Sequence, residues 1–273
     1  MNNSKSKKLF AGPYLGEFGW ELFCWQGYIR HLSQSFDHTT ISCRKGLSGL
    51  YEDFADEIIE YDPPEYRPSC EKNAGNSGDY PKPDSSYSKY IGPNPSFGIT
   101  PRYIPINGTY DPNFPQEYYK YGNPKTEKEA FDILIHARSR SNSGTYSTDF
   151  RNLPKDSWDI IVDYLKSKNY SVASIGSTKD SLHIDKTFDL RGIKISDLCD
   201  YCSMTQCVLS PSSGPLHLAA LCGTEIIVWS GERFNQFRYE KSWNPFKNKV
   251  QFLKGWANVN LDHIKNAIDN INE

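Results

Sequence analysis

The sequence predicts an α/β protein made of two Rossmann-like domains facing a central cleft. Three observations carry this reading. Strand and helix patterns alternate over residues 8–62 and again over 131–231, as in parallel sheets covered by helices. Between these runs lies an irregular stretch, 63–124, that holds 12 of the 17 prolines. The length, 273 residues with 37% hydrophobic side chains, suffices for two cores. The first domain is placed at 1–125, with 63–124 as a Pro/Tyr-rich insertion, and the second at 126–273, whose C-terminal helix could also pack back on the first.

In the first domain, residues 8–12 make a short apolar strand running into a glycine turn. From Phe18 the apolar positions Phe18, Leu22, Trp25, Tyr28, Ile29 and Leu32 recur at intervals of three and four, the period of an amphipathic helix. A strand at 38–43, a helix at 46–55 and a strand at 57–62 complete a β-α-β-α-β unit.

The second domain opens with a buried strand at 131–137. A helix follows at 154–168, with Pro154 in its first turn and Trp158, Ile161, Val162 and Leu165 along one side. Next come a strand at 170–176, a helix at 194–204, a strand at 207–210, a helix starting near Ser212 or Ser213, and a strand at 225–231. An amphipathic helix at 261–271 ends the series.

Composition removes several function classes. Residues 1–125 hold 13 basic and 15 acidic residues and the remainder 18 of each, so there is no basic domain of the kind a general nucleic-acid binder shows. The seven cysteines are odd in number and sit in apolar contexts, which suits reduced thiols. Cys199 and Cys202 have zinc-like spacing but lack a second pair. With no apolar run long enough for a membrane span and no leader pattern at its start, the chain reads as soluble and cytoplasmic. The motifs of NAD-binding, P-loop and α/β-hydrolase sites are absent.

The informative stretch is "LSPSSGPLHLAALCG", 209–223. A strand ending at Ser210 followed by a helix puts the Ser-Ser-Gly turn at the carboxyl end of a parallel strand, where open α/β sheets bind ligands. Serines there can cap the helix, Gly214 allows close approach, and free amides with the helix dipole attract an anion. His217, one turn on, can face the same anion as an N–H donor or a cation. An ordinary cap with a satisfied histidine accounts for this stretch equally well.

The wider run 189–231 resembles the donor domain of the heptosyltransferase-type glycosyltransferases, family 9, which have the GT-B fold. Asp189, Leu190 and Gly192 fit that family's D-L-x-G, and Ser213, Gly214, Pro215, His217 and Ala219 fit its Asp-Thr-Gly-Pro-x-His-x-Ala turn. Ser212 stands where the family usually has Asp. The resemblance implies a metal-independent, inverting transfer of a sugar, hexosyl or pentosyl, from a UDP-, GDP- or ADP-sugar to an acceptor hydroxyl, with no cofactor. It implies a diphosphate bound by Ser212, Ser213, Gly214 and His217 together with Arg151, which precedes Leu153-Pro154. Arg138 and Arg140 follow the preceding strand closely enough to join them, and guanidinium forks suit phosphate oxygens. Asp180 takes the place of a ribose-binding carboxylate. Gly16-Glu17 resembles the family's Gly-Asp pair, making Glu17 the base and Glu21, a turn later, its reserve. No Asp-x-Asp metal motif occurs.

Trp20 and Trp25, with Gly16, are assigned to the acceptor side. Aromatic faces suit sugar rings and nucleobases alike. A glycan or glycolipid acceptor follows from the resemblance. The alternatives are a hydroxymethylated base of phage DNA and a catalytically silent nucleotide-sugar-binding protein.

Overall fold

A computed structural model describes residues 6–14, 17–62, 80–92, 115–140 and 149–271. The chain divides into two units, Met1–Tyr119 and Lys120–Glu273. Most of the Pro/Tyr-rich insertion, and Gly16, lie outside the described residues.

The first unit contains β1 (Lys8–Ala11), α1 (Phe18–Trp20), α2 (Gln26–Ser33), β2 (His38–Arg44), β3 (Glu57–Tyr61) and β4 (Lys89–Ile91). Its sheet has the order β3-β2-β1-β4 and every pairing is parallel. Gly12, just after β1, has φ +105°, and a Cβ there would lie 2.0 Å from the Ser42 carbonyl oxygen, so only glycine lets β1 turn away this close to β2. The amphipathic pattern from Phe18 is helical, but a π turn, Glu21–Trp25, joins α1 to α2. All five residues of that turn are buried, which the stripe of a regular α-helix could not achieve. The helix expected at 46–55 is instead a single 3-10 turn, Ser48–Leu50. Gly46 and Gly49 weaken a helix there, and only Leu50 and Tyr51 are drawn into the core.

The second unit contains β5 (Ile133–Ile135), α3 (Lys155–Ser167), β6 (Val172–Ser174), β7 (Phe188–Asp189), α4 (Ile195–Met204), β8 (Cys207–Pro211), α5 (Gly214–Cys222), β9 (Glu225–Ser230), α6 (Arg233–Phe237), β10 (Val250–Lys254) and α7 (Leu261–Asp269). A π turn, Arg238–Ser242, follows α6. Six parallel strands lie in the order β10-β9-β8-β5-β6-β7. From β5 the chain builds outward through β6 to β7, then returns to lay β8, β9 and β10 on the other side. The switch point therefore falls between β5 and β8, the place where such sheets receive ligands beyond their carboxyl ends.

Alternation along the strands assigns the two faces. Ile133 and Ile135 of β5, Cys207 and Leu209 of β8, and Ile227 and Trp229 of β9 share one core with Trp158, Ile161 and Leu165 of α3 and Ile264 and Ile268 of α7. The buried face of α7 is thus spent within the second unit. α5 carries apolar residues all round and is buried from Leu216 to Cys222.

Candidate functional site

The turn after β8 lies at the carboxyl edge of the sheet. Ser212 is buried, while Ser213, Gly214 and Pro215 remain partly exposed, so the start of α5 opens outward. Ser213 occupies the N-cap position, but its side chain does not cap the helix as expected from sequence. Its hydroxyl instead lies 3.0 Å from Ser210 Oγ and 3.0 Å from His136 Nδ1, which hold it back toward β5 and β8. The amide of Ser213 donates to the Tyr239 hydroxyl at 3.2 Å. A helix start presents four amides without intrahelical partners. With the first engaged, Pro215 having none and Leu216 fully buried, Gly214 is the residue of this turn whose amide can meet an anion.

Three arginines reach the same edge. Arg138 follows β5, is 5% exposed, and donates to the Asn152 side-chain oxygen. The same oxygen accepts the Arg140 amide at 3.3 Å, and Asn152 Nδ2 donates to the Arg140 carbonyl at 3.0 Å. Asn152 therefore sets the backbone of one arginine and the guanidinium of another. Arg151 donates to the Ser212 carbonyl, placing its head group directly at the turn. Burial, with Arg151 and Arg140 close by, lowers Arg138 to about 10. It remains charged at neutral pH. Asp180 comes to this edge as well: its carbonyl accepts the Ser139 amide at 2.9 Å, and its carboxylate partly offsets the charge around Arg138.

Two histidines and a tyrosine form the floor. His136 is buried, and burial together with Arg138 and Arg151 pushes it down to about 3, so the ring is neutral. His217 is shifted in the same direction, by burial first and then by Arg238 and Arg151. In this environment the neutral, N–H-donating form of His217 is the one favoured. Its ring stacks on Tyr239 at 4.7 Å and meets Trp243 edge-on at 4.6 Å, with Nε2 3.3 Å from the Tyr239 hydroxyl. That hydroxyl also donates to Ser212 Oγ at 3.2 Å, and burial raises the phenol to about 12. Tyr239 is thus a fixed hydrogen-bonding post under the Ser212-Ser213 turn. Asp189, in the D-L-x-G run, is occupied by its own neighbour, with Arg191 Nε and Nη2 at 2.8 and 2.9 Å.

Sequence reasoning missed His136, Asn152 and Tyr239. The first two had a legible signal, since Asn152 follows Arg151 directly and His136 sits at the end of a strand two residues before Arg138. Tyr239 had none, because it reaches the turn from a π turn that no periodicity announces.

In the first unit Glu17 is the residue before α1, half-buried, with extended backbone, and its carbonyl accepts the amides of Trp20 and Glu21 at 3.0 and 3.1 Å. Glu21 is fully buried, accepts the Tyr51 hydroxyl at 2.7 Å and pairs with Arg44. Both of its oxygens are engaged in the interior, so its assignment as a reserve base is corrected. Trp25 is 1% exposed and packs on Tyr14 at 5.6 Å between ring centres, which makes it core rather than an acceptor-side surface. Trp20 is partly exposed. Among the described residues no group of three His, Cys, Asp or Glu side chains could hold a metal ion, and no helix is long and apolar enough to cross a membrane.

No protein-family model and no curated protein matches the chain. Among solved structures it is similar to the glycosyl transferase family 9 protein of Veillonella parvula DSM 2008, at 11% identity and TM-score 0.55, over 99% of this chain and 98% of that one. It is similar to E. coli ADP-heptose LPS heptosyltransferase II at 11% identity and TM-score 0.58, over 97% and 98%. It is also similar to the dodecameric iron-containing heptosyltransferase TibC in complex with ADP-D-β-D-heptose, at 14% identity and TM-score 0.54, over 93% of this chain and 65% of that one. At these identities the likeness shows the fold, that of the GT-B glycosyltransferases of the heptosyltransferase type.

Proposed function

We propose that the protein is a glycosyltransferase that takes a nucleotide sugar as donor. The observation that carries this is Arg151 bonded at the start of α5, with Arg138 beside it and Arg140 near enough to act on Arg138, at the switch point of a parallel sheet. Departure of a nucleoside diphosphate concentrates negative charge on its outer phosphate. Guanidinium groups and helix amides fixed in advance stabilise that charge as it develops. The Gly214 amide and Arg151 would hold the departing phosphate, with Arg138 and Arg140 along the diphosphate, and Asp180 accepting hydrogen bonds from the ribose. This arrangement supplies the charge neutralisation that a metal gives in other sugar transferases, and so supports the metal-independent reading. ADP-heptose, the ligand of TibC, makes ADP-sugars the first donors to test.

On the acceptor side Glu17 would remove the proton from an acceptor hydroxyl, whose oxygen then attacks the anomeric carbon directly and inverts it. A glycan is the acceptor favoured by the fold's company. The test is release or transfer of sugar from a panel of ADP-, GDP- and UDP-sugars. Arg151→Ala is expected to weaken nucleotide binding by roughly 10- to 100-fold, the range for a lost charge-assisted hydrogen bond. Glu17→Ala is expected to lower turnover by about 10²- to 10⁴-fold while nucleotide affinity holds. Nucleotide binding with no sugar released from any donor would leave a binding protein, and no binding at all would remove the reading.

A further inference from the structure

Arg151 is fixed by more than its bond to Ser212. Its guanidinium carbon lies 4.8 Å from the ring centre of Trp256, a partly exposed residue just after β10. The indole in turn rests on the backbone at the end of β9, where a methyl group on Gly231 would lie 2.4 Å from its Cδ1 and Nε1. Only glycine there leaves room for the ring. The Gly255 amide donates to the Ser230 carbonyl at 3.1 Å, and the Ala257 amide to the Phe150 carbonyl at 3.1 Å, binding the Trp256 loop both to β9 and to the turn that carries Arg151. Phe150 meets the indole edge-on at 5.8 Å. Arg151 Nε is buried and has no hydrogen-bond partner among the described residues.

From these contacts we infer that Trp256 is a positioning residue, which holds the Arg151 guanidinium in the plane that receives a diphosphate oxygen. A planar cation lying on an indole is attracted by the ring quadrupole and keeps one orientation, so less freedom is lost when an anion binds. Gly231 serves the same end by admitting the ring. Neither residue touches the anion, and both act through Arg151. The inference rests on the reading of this edge as a diphosphate site.

The test is calorimetric titration of the full chain with ADP, GDP and UDP, using wild type, Trp256→Phe, Trp256→Leu, Gly231→Ala, Arg151→Ala and the double variant Trp256→Leu/Arg151→Ala. Phenylalanine keeps an aromatic face, so affinity should stay within about threefold of wild type. Leucine keeps bulk without the ring and should weaken binding roughly tenfold, and Gly231→Ala should match it by displacing the indole. In the Arg151→Ala background the leucine substitution should have almost no further effect. The inference is overturned if Trp256→Leu binds like wild type, or if it weakens binding by the same factor with and without Arg151. Absence of nucleotide binding by the wild type, with its unfolding transition intact, overturns the diphosphate reading itself and this inference with it.

Discussion

His136 shows what the strand edge does to a single group. Enclosed by β5 and β8 and close to two arginines, it is neutral in the folded protein down to about pH 3, whereas an unfolded chain protonates it near 6.5. Between those values the unfolded state binds the extra proton, so the stability due to this residue is complete above pH 6.5 and is lost progressively on acidification toward 3. From pH 7 to pH 5 the loss is about 2 kcal/mol. Urea unfolding at those two pH values should therefore show a larger drop for wild type than for His136→Asn, by about that amount, and equal drops would refute the assignment. At this scale the sequence was half legible. Arg151 is named by the resemblance, and Arg138 and Arg140 by directly following the strand at 131–137, although each singly reads equally as a solvated loop arginine. Glu17 stands ahead of Glu21 by resemblance alone, since a spacing of four puts both on one helical turn, and it is the π turn that directs Glu21 to Arg44 and Tyr51.

The start of α5 illustrates how elements are finished by distant residues. A serine in the N-cap position normally supplies about 1 kcal/mol by accepting a helix amide, but Ser213 turns its hydroxyl to His136 and Ser210. The hydroxyl of Tyr239 accepts the Ser213 amide and also serves Ser212 and His217. Tyr239→Phe leaves buried polar groups without that partner and is expected to cost about 1–3 kcal/mol, more than Ser213→Ala, in chemical unfolding. The reverse order would show that the serine caps the helix after all. The helix α3 was legible from its apolar period of three and four, and the strands β2, β8 and β9 as short runs of strand-favouring residues buried almost throughout. The strands β4, β7 and β10 were not, since they lie at the edges of their sheets with no fully buried residue, and pairing with one neighbouring strand is what makes them strands.

For the molecule as a whole, the division into two units has a direct consequence. Residues 120–273 contain an entire six-stranded sheet, its own core, and every described residue of the proposed nucleotide site. Produced alone, this segment is expected to unfold cooperatively and to bind a nucleoside diphosphate within several-fold of the full chain, while transferring no sugar because Glu17 is missing. Failure to fold, or loss of nucleotide affinity, would show that the site needs the other unit. The site itself gathers guanidinium groups over a floor of two uncharged histidines, so nothing there can shed a proton near neutrality to relax the crowding. Small multivalent anions relieve it by the same contacts that a diphosphate uses. Inorganic phosphate or sulfate in a buffer would therefore occupy the edge as a rival, and the affinity recorded for any nucleotide depends on which salt dissolves the protein.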